Sequence, residues 1–178
     1  MAITQKTVVP MTVSAACPTH TRTNAHAGKH ELVIDEPAAR GGTDQGPTPI
    51  ETMIAALLGC TNVILNRLAE KNHVEVRALS LAAEASFDRR GVMLEEEVAV
   101  PFPEIRLTIN LTAPATELQV ERVKADLHKF CPVSKVIRQS GRNWRKSGTS
   151  RAPDGRRKRW RNRRNEHNDG SDRPDSFL

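Results

Sequence analysis

The sequence predicts an α+β fold, because segments typical of strands and of helices follow one another along the chain. Residues 104–111 alternate apolar and polar side chains, as a strand with one buried face does. Residues 49–71 begin with helix-capping residues and are mostly apolar, and residues 117–130 carry apolar side chains at helical spacing. A chain of 178 residues with 38% hydrophobic content is long enough for one domain with a core.

Two strands and a loop are predicted before the first helix. Residues 6–16 favour a strand that Pro10 confines to a sheet edge, because proline cannot donate a ladder hydrogen bond. Residues 30–35, His-Glu-Leu-Val-Ile-Asp, predict a second strand. Residues 36–47 are rich in glycine and proline, which indicates a loop.

The helix that follows carries the clearest local signals. Thr48 suits the N-cap, Pro49 suits the first helical position, and Glu51 completes a capping box three residues after the cap. We expect the helix to run from about Pro49 to Lys71 and to be buried on most sides over its first half.

Strands and then helices are predicted in the second half of the chain. The strands are expected at residues 74–87 and 104–111. The helices are expected at residues 117–130 and 132–140, with an interruption at Cys131, because proline disfavours helical geometry in the residue before it.

Residues 142–178 differ sharply from the rest of the chain. They hold 12 of the 27 Lys and Arg residues but only 5 of the 21 Asp and Glu residues, so the remainder is almost neutral. They contain almost no aliphatic side chains, and such a segment buries too little apolar area to offset its ordering entropy. We therefore predict one domain over residues 1–141 and a basic, disordered tail over residues 142–178.

Composition and cysteine content limit the classes of function. No stretch approaches the roughly 18 apolar residues of a membrane helix, and the N-terminus lacks the pattern of a signal peptide. A cytoplasmic protein without a membrane partner is therefore expected. The absence of a CxxC pair argues against a zinc finger, and His20, His26 and His30 are too irregularly spaced for a metal site. Neither a metal nor a cofactor is expected.

Two of the three cysteines carry most of the functional information. Cys60 lies inside the apolar helix, where a cysteine is usually a small core residue. Cys131 directly precedes Pro132 at a helix start, where amide N–H groups and the helix dipole favour the thiolate; the alternative is a chain break with an incidental thiol. Cys17 is interpreted as incidental. The pair Cys60 and Cys131 suggests redox thiol chemistry.

Two separated motifs support a family assignment. The first is Asp-Glu-Pro at 35–37, Gly-Gly-Thr-Asp-Gln-Gly-Pro-Thr-Pro at 41–49, and the helix from Glu51 to Cys60. The second is Cys-Pro-Val-Ser-Lys-Val at 131–136. Over roughly residues 8–141 the sequence resembles the OsmC/Ohr family (osmotically inducible protein C and organic hydroperoxide resistance proteins). This resemblance implies an α+β fold of curved antiparallel sheets around two long helices, formed by an intertwined homodimer.

The resemblance also implies thiol-dependent reduction of organic or inorganic hydroperoxides, with a dithiol as reductant. Cys60 matches the attacking thiol, and Cys131 matches the thiol that closes a disulfide with it. Glu51 matches a glutamate that holds a thiolate-stabilising arginine, for which Arg22 is the first choice and Arg40 the second. The structural alternatives are a capping role for Glu51 and a solvated strand position for Arg22.

Helix geometry constrains any role of Glu51 beside Cys60. Nine residues separate them, which corresponds to about 13.5 Å of rise and half a turn of phase. Glu51 therefore cannot touch the thiol of its own helix. Either the partner subunit supplies the glutamate or an arginine bridges the gap, which would make dimerisation part of the mechanism.

Other functions and another origin of the tail are considered. The domain could hold a small apolar or acyl ligand without catalysis. The basic run 156–164 with Trp160 is typical of phosphate contacts and base stacking, so nonspecific nucleic-acid binding is an alternative. We also hypothesise that residues after about Gly141 are translated out of frame, because one codon choice for residues 142–150 encodes Glu-Leu-Glu-Glu-Val-Trp-Asn-Val in another frame. That string resembles the family's final strand, which the domain would then lack.

Overall fold

The computed structural model describes residues 7–139, 144–151 and 157–161. The chain divides into two compact units, the first ending at Leu57 and the second beginning at Leu58. The sequence predicts one domain over residues 1–141. The boundary between the two units falls inside the first long helix, and the extent of the domain stays a prediction.

A three-stranded antiparallel sheet lies in the first unit, in the order β1 (Ser14–Ala16), β2 (Thr23–Ala27), β3 (His30–Ile34). The strand predicted at residues 30–35 is confirmed, whereas the strand predicted at 6–16 is reduced to β1. β2 was not predicted, because Thr-Asn-Ala-His-Ala contains no large apolar or β-branched side chain apart from threonine. Its pairing with both β1 and β3 supplies the hydrogen bonds that hold it.

The loop after β3 is organised by the buried carboxylate of Asp35. This carboxylate accepts hydrogen bonds from the amides of Glu36 at 2.8 Å, Thr43 at 3.0 Å and Gln45 at 3.3 Å, and from the Thr43 hydroxyl at 2.5 Å. The hydrogen bond from the Thr43 side chain is the largest cause that lowers the pKa of Asp35 well below its usual range, and the amide hydrogen bonds add to it. Asp35 therefore stays ionised and fixes the loop from within.

Two glycines let this loop approach the backbone of the preceding strand and turn. A Cβ atom at Gly42 would lie 1.7 Å from the carbonyl oxygen of Glu36, and one at Gly46 would lie 2.2 Å from the carbonyl oxygen of Val33. A backbone oxygen at those distances cannot yield, so only glycine fits at either position.

The first long helix, α1 (Pro49–Lys71), has the predicted bounds. Its capping box is present: the Glu51 amide donates to Thr48 Oγ1 at 3.3 Å, and Glu51 Oε2 accepts from the Thr48 amide and hydroxyl, both at 2.8 Å. The prediction of this N-terminus is therefore confirmed.

The apolar surface of α1 is only partly covered by the rest of the chain. Within the described residues, α1 is the one helix long and apolar enough to span a bilayer by length and composition, a test that core helices also pass. By that criterion, the expectation that no stretch approaches a membrane helix is wrong. Only 28% of the most apolar 18-residue window of α1 is buried, so the prediction of all-round burial also differs from the structure.

A mixed sheet lies in the second unit, in the order β4 (Ala78–Ser86), β5 (Glu104–Thr112), β6 (Trp144–Arg151), β7 (Arg157–Arg161). The pairs β4/β5 and β6/β7 are antiparallel, whereas β5 and β6 are parallel. Two helices occupy the connection from β5 to β6. They are α2 (Glu117–Phe130) and α3 (Pro132–Gln139), close to the predicted bounds.

The core of the second unit forms where the C-terminal half of α1, one face of β5 and one face of α2 meet. The predicted alternation of β5 is confirmed, since its four apolar side chains are buried and Arg106 and Asn110 are exposed. The buried members of this core are Leu65, Leu68, Ala69, Val74, Leu107, Ile109, Leu111, Ala113, Val123 and Leu127.

The prediction of a disordered tail that lacks a final strand is wrong for residues 144–151 and 157–161. β6 pairs with β5 over eight residues, and β7 pairs with β6. Ladder hydrogen bonds use only backbone groups, so a strand with few aliphatic side chains can extend the open edge of β5. Residues 140–143, 152–156 and 162–178 lie outside the described residues, and the disorder predicted for those from residue 142 onwards stays a prediction.

Candidate redox-active thiol site

Cys60 and Cys131, which are 71 positions apart in the chain, lie side by side in the second unit. Their Sγ atoms are 3.2 Å apart. Cys60 lies in α1, and Cys131 is the single residue between α2 and α3. The sulfurs need to approach by only about 1.2 Å to reach the length of a disulfide bond.

The backbone at Cys131 ends one helix and begins the next. Its φ of −77° and ψ of 107° are extended, and its amide donates to the Leu127 carbonyl at 3.1 Å. Its carbonyl accepts from the Lys135 amide at 3.0 Å, and its sulfur accepts from the Ser134 amide at 3.4 Å. Cys131 is therefore the N-cap of α3, as predicted, and an amide and a helix N-terminus both favour its thiolate.

The two sulfurs differ in access to solvent. Cys131 is fully buried, whereas Cys60 is half-buried. Gly59, the residue before Cys60, is exposed, and nothing within the described chain lies within 4 Å of the position a Cβ would take there. A small molecule can therefore reach Cys60 more readily than Cys131.

Glu51 lies in the first unit, where its side chain completes the capping box with Thr48. The backbone hydrogen bond from Thr48 is the largest cause that lowers the Glu51 pKa, the Thr48 hydroxyl adds to it, and the positive charge of Arg40 acts in the same direction. Glu51 is thus ionised at neutral pH, and the positive charge of Arg40 contributes to this.

The two candidate arginines occupy different environments, both in the first unit. Arg22 is half-buried, and its Nε donates to Asn24 Oδ1 at 3.1 Å. Arg40 ends the 3₁₀ turn Ala38–Arg40, is exposed, and its Nε lies 2.7 Å from Glu36 Oε2. Of the two, Arg40 is the one whose charge acts on Glu51.

Cys17 and the three histidines considered from the sequence, His20, His26 and His30, belong to the first unit, whereas both thiols of the pair belong to the second. Cys17 is exposed in the first unit, with its sulfur 3.9 Å from the Thr23 hydroxyl. Among the residues that the structure describes, no group of three or more His, Cys, Asp or Glu side chains is placed to hold a metal ion.

Two residues important to the local structure were not singled out from the sequence. Ser134 is only 1% exposed and contacts the Cys131 sulfur through its amide. Its position three residues after a cysteine N-cap was a usable signal. Asp35 stands directly before a glycine-rich loop, where an aspartate often binds backbone amides.

Comparison with known proteins identifies one family. The family model described as OsmC-like protein matches residues 42–143, more than half of the chain. No curated protein matches the sequence.

Solved structures with the same fold cover most of the chain. An OsmC-like protein from Mycoplasma pneumoniae is 15% identical, with a TM-score of 0.66 over 80% of this chain and 97% of that one. An organic hydroperoxide resistance protein OsmC from Legionella pneumophila is 16% identical, with a TM-score of 0.55 over 78% and 96%. An organic hydroperoxide resistance protein from Elizabethkingia anophelis, with bound thiocyanate, is 17% identical, with a TM-score of 0.56 over 78% of this chain and 95% of that one. These likenesses establish the α+β fold, and with the match over residues 42–143 they place the chain in the OsmC-like family.

Proposed function

We propose that this protein reduces hydroperoxides through a Cys60 thiolate and a disulfide between Cys60 and Cys131. The observation that carries the proposal is the 3.2 Å separation of two sulfurs that come from distant parts of the sequence. Two similar structures are of proteins named for organic hydroperoxide resistance. A cytoplasmic location belongs to the same proposal, because reduced cysteines are maintained there.

The reaction proceeds in three balanced steps. The Cys60 thiolate attacks a peroxide oxygen, the O–O bond breaks, and the leaving oxygen takes up a proton from solvent and departs as the alcohol, so that Cys60 becomes a sulfenic acid. The Cys131 sulfur then attacks the Cys60 sulfur, and the sulfenic oxygen leaves as water. A dithiol finally reduces the disulfide, becomes a disulfide itself and restores both cysteines.

Exposure supports this division of roles. The attacking sulfur must meet a peroxide from solvent, and Cys60 is the half-buried member of the pair. The second sulfur needs to reach only Cys60, which suits the fully buried Cys131. The N-cap position of Cys131 favours its thiolate, the form that attacks the sulfenic acid.

Glu51 and an arginine complete the proposed site from the partner subunit. Glu51 cannot touch the Cys60 of its own helix, because the helix rise between them is about 13.5 Å. The field of Arg40 at Glu51 favours Arg40 over Arg22 as the arginine that the glutamate holds. The proposed homodimer brings this pair to the thiols of the other chain.

The uncovered apolar surface of α1 supports the homodimer. Only 28% of its most apolar window is buried within the chain, and Val63 on this helix is 49% exposed. Covering such surface with a second copy removes it from water, which favours association. We expect a dimer in sedimentation velocity; a monomer at micromolar concentration would contradict the dimeric site.

Peroxide consumption with dithiothreitol as the reductant tests the redox proposal. We expect Cys60→Ser to lose turnover, because the attacking sulfur is gone. Cys131→Ser is expected to oxidise Cys60 once but to form no intramolecular disulfide. Cys17→Ser is the matched control and should turn over at the wild-type rate. Equal rates for wild type and Cys60→Ser would reject the proposal.

The charged residues are tested separately from the thiols. Glu51→Gln keeps a side chain that can complete a capping box but removes the charge, so the peroxide rate should fall while the melting temperature changes little. Arg40→Met should slow the peroxide step more than Arg22→Met does. The reverse order would return the assignment to Arg22.

A ligand-holding role is an alternative on which one cleft in the described part of the chain bears. An apolar cleft between α1, β5 and α2 has a volume of about 20 Å³, room for roughly one water-sized sphere. Small-molecule pockets are usually more than tenfold larger. Retention of a small molecule in native mass spectrometry, without thiol oxidation by peroxide, would favour this alternative.

Nucleic-acid binding is a second candidate, favoured by the pairing of two basic strands. Arginine occupies alternate positions of β7, which pairs with β6. A basic strand ribbon can neutralise phosphates, and such binding weakens steeply with salt. Binding of single-stranded DNA that depends steeply on salt and is lost on truncation after Gly141 would support this role.

A further inference from the structure

The side chain of Ser134 is a buried polar group for which the described residues offer no hydrogen-bond partner. Ser134 is 1% exposed, and its hydroxyl oxygen is the one buried side-chain polar atom in residues 7–139 without such a partner. Buried hydroxyls are nearly always paired, because an unmade hydrogen bond costs their desolvation. An unpaired hydroxyl beside a reactive sulfur suggests a partner that forms during the reaction.

Ser134 lies where its hydroxyl can serve Cys131. It is the third residue of α3, and its amide already donates to the Cys131 sulfur at 3.4 Å. In a capping box, the side chain at this position reaches back to the N-cap residue. Here the N-cap residue is Cys131, and rotation about a single bond sets the direction of the Ser134 hydroxyl.

A thiolate at Cys131 would give this hydroxyl its missing acceptor. A neutral thiol accepts hydrogen bonds weakly, whereas a thiolate accepts them strongly. The amide and the hydroxyl of one residue would then hold the same sulfur. Cys60 lies in the middle of α1, where the helix amides before it are already used within the helix.

We propose that Ser134 is a positioning residue that donates its hydroxyl hydrogen bond to the Cys131 sulfur, so that Cys131 leaves as the thiolate when a reductant attacks Cys60. The choice of which sulfur the reductant attacks and which sulfur leaves is thereby fixed. It follows both from the stabilised leaving group and from the exposure of Cys60. This inference rests on the proposed function only in requiring a Cys60–Cys131 disulfide.

The bonds and electrons balance as follows. A thiolate of the dithiol reductant attacks the Cys60 sulfur, the bond between Cys60 and Cys131 breaks, and its electron pair stays on Cys131. The second thiol of the reductant then attacks the sulfur bound to Cys60 and becomes part of a cyclic disulfide. Cys60 is released as a thiolate, and two protons from the reductant return both cysteines to the thiol form as pH dictates.

The experiment begins from protein oxidised with diamide, so that it does not depend on peroxidase activity. Reduction by dithiothreitol is followed in wild type, Ser134→Ala and the exposed-serine control Ser86→Ala. We expect Ser134→Ala to be reduced roughly tenfold more slowly and Ser86→Ala to match wild type. An unchanged rate in Ser134→Ala overturns the proposal.

Stability separates positioning from a merely structural role. Because the Ser134 hydroxyl has no partner in the described chain, Ser134→Ala should keep or raise the melting temperature. In a Cys60→Ser background, the ultraviolet absorbance of the Cys131 thiolate should appear at higher pH when Ser134 is replaced. A large loss of stability with an unmoved thiolate titration contradicts the proposal.

A second measurement uses the wild-type sequence and needs no variant to fold. Glutathione, a monothiol, is added to the diamide-oxidised protein, and the mixed disulfide is mapped by mass spectrometry. We expect glutathione on Cys60. Glutathione on Cys131, or no disulfide with diamide, overturns the inference. A disulfide that forms with diamide but not with peroxide would instead contradict only the proposed function.

Discussion

The two units of this chain are stabilised by different kinds of interaction. The second unit has an apolar core in which Leu107 is 0% exposed, and it contains Cys60 in α1 and Cys131 between α2 and α3. The first unit exposes Leu32 in its sheet by 46% and organises its long loop around the buried carboxylate of Asp35. The comparison teaches that the two thiols lie in the unit held by an apolar core, whereas Glu51, Arg22 and Arg40 lie in the unit whose long loop is held by polar contacts.

The largest effect is expected from a substitution in the core of the second unit. Leu107→Ala should lower the free energy of unfolding by about 2–5 kcal/mol, because it leaves a cavity among well-packed neighbours. Leu32→Ala is the matched change in the first unit and should cost well under about 1 kcal/mol. Urea unfolding compares the two. Equal losses would mean that the first sheet is covered as tightly as the core.

The next effect concerns the Asp35 loop. Asp35→Asn keeps the size of the side chain but loses the charge that binds the amides and hydroxyl of the loop, so the melting temperature should fall clearly. Asp44→Asn is the control in the same loop, because Asp44 is exposed and asparagine accepts its positive φ of 55°. If both variants melted alike, the loop would not depend on the buried carboxylate.

The lowered pKa of Asp35 also predicts how stability depends on pH. An unfolded aspartate has a pKa of about 3.9, and the pKa of Asp35 in the folded chain is lower. The contribution of Asp35 is therefore present above roughly pH 4 to 5 and is lost as the pH falls towards the folded pKa. Thermal melts from neutral to acidic pH should fall more steeply for wild type than for Asp35→Asn. Parallel curves would contradict this account.

A smaller effect tests the edge strand of the second unit. The β6 sequence contains lysine, glycine and serine, which are poor strand formers, whereas the out-of-frame string has strand alternation. Replacing residues 142–150 by a segment that contains Glu-Leu-Glu-Glu-Val-Trp-Asn-Val should raise the free energy of unfolding by an amount on the order of 1 kcal/mol. Equal melting temperatures, or a confirmed reading frame on resequencing, would count against the frameshift hypothesis.

The smallest effects compare the same cap in each unit. Thr48→Ala removes the capping box of α1, and Thr116→Ala removes that of α2, where Thr116 pairs with Gln119. Each should cost about 1 kcal/mol. Because Thr48 is buried and Thr116 is exposed, the loss at Thr48 should be the larger in urea unfolding. The reverse order would show that burial does not strengthen this cap.

The helices and β5 could be predicted because their signals are local. Thr48, Pro49 and Glu51 mark the start of α1, and Pro132 separates α2 from α3. β2, β6 and β7 could not be predicted, because their place depends on a neighbouring strand that offers backbone hydrogen bonds. A pattern of side chains carries no record of such pairing.

The disulfide between Cys60 and Cys131 was predicted only through the family resemblance, since nothing local to either residue reveals that two cysteines 71 positions apart lie side by side. The N-cap role of Cys131 could be predicted, because Pro132 sets the helix start. Ser134 could not be predicted as a site residue, because a serine near a helix start is common. What distinguishes Ser134 is its burial, which arises only when the helices pack.

One measurement tests the central claim most directly. Reduced protein is treated with less than one equivalent of an organic hydroperoxide, alkylated, digested and examined by mass spectrometry. We expect an intramolecular disulfide between Cys60 and Cys131, with Cys17 alkylated. Oxidation confined to Cys17, or a sulfinic acid on Cys60 with Cys131 still alkylated, would contradict a catalytic pair.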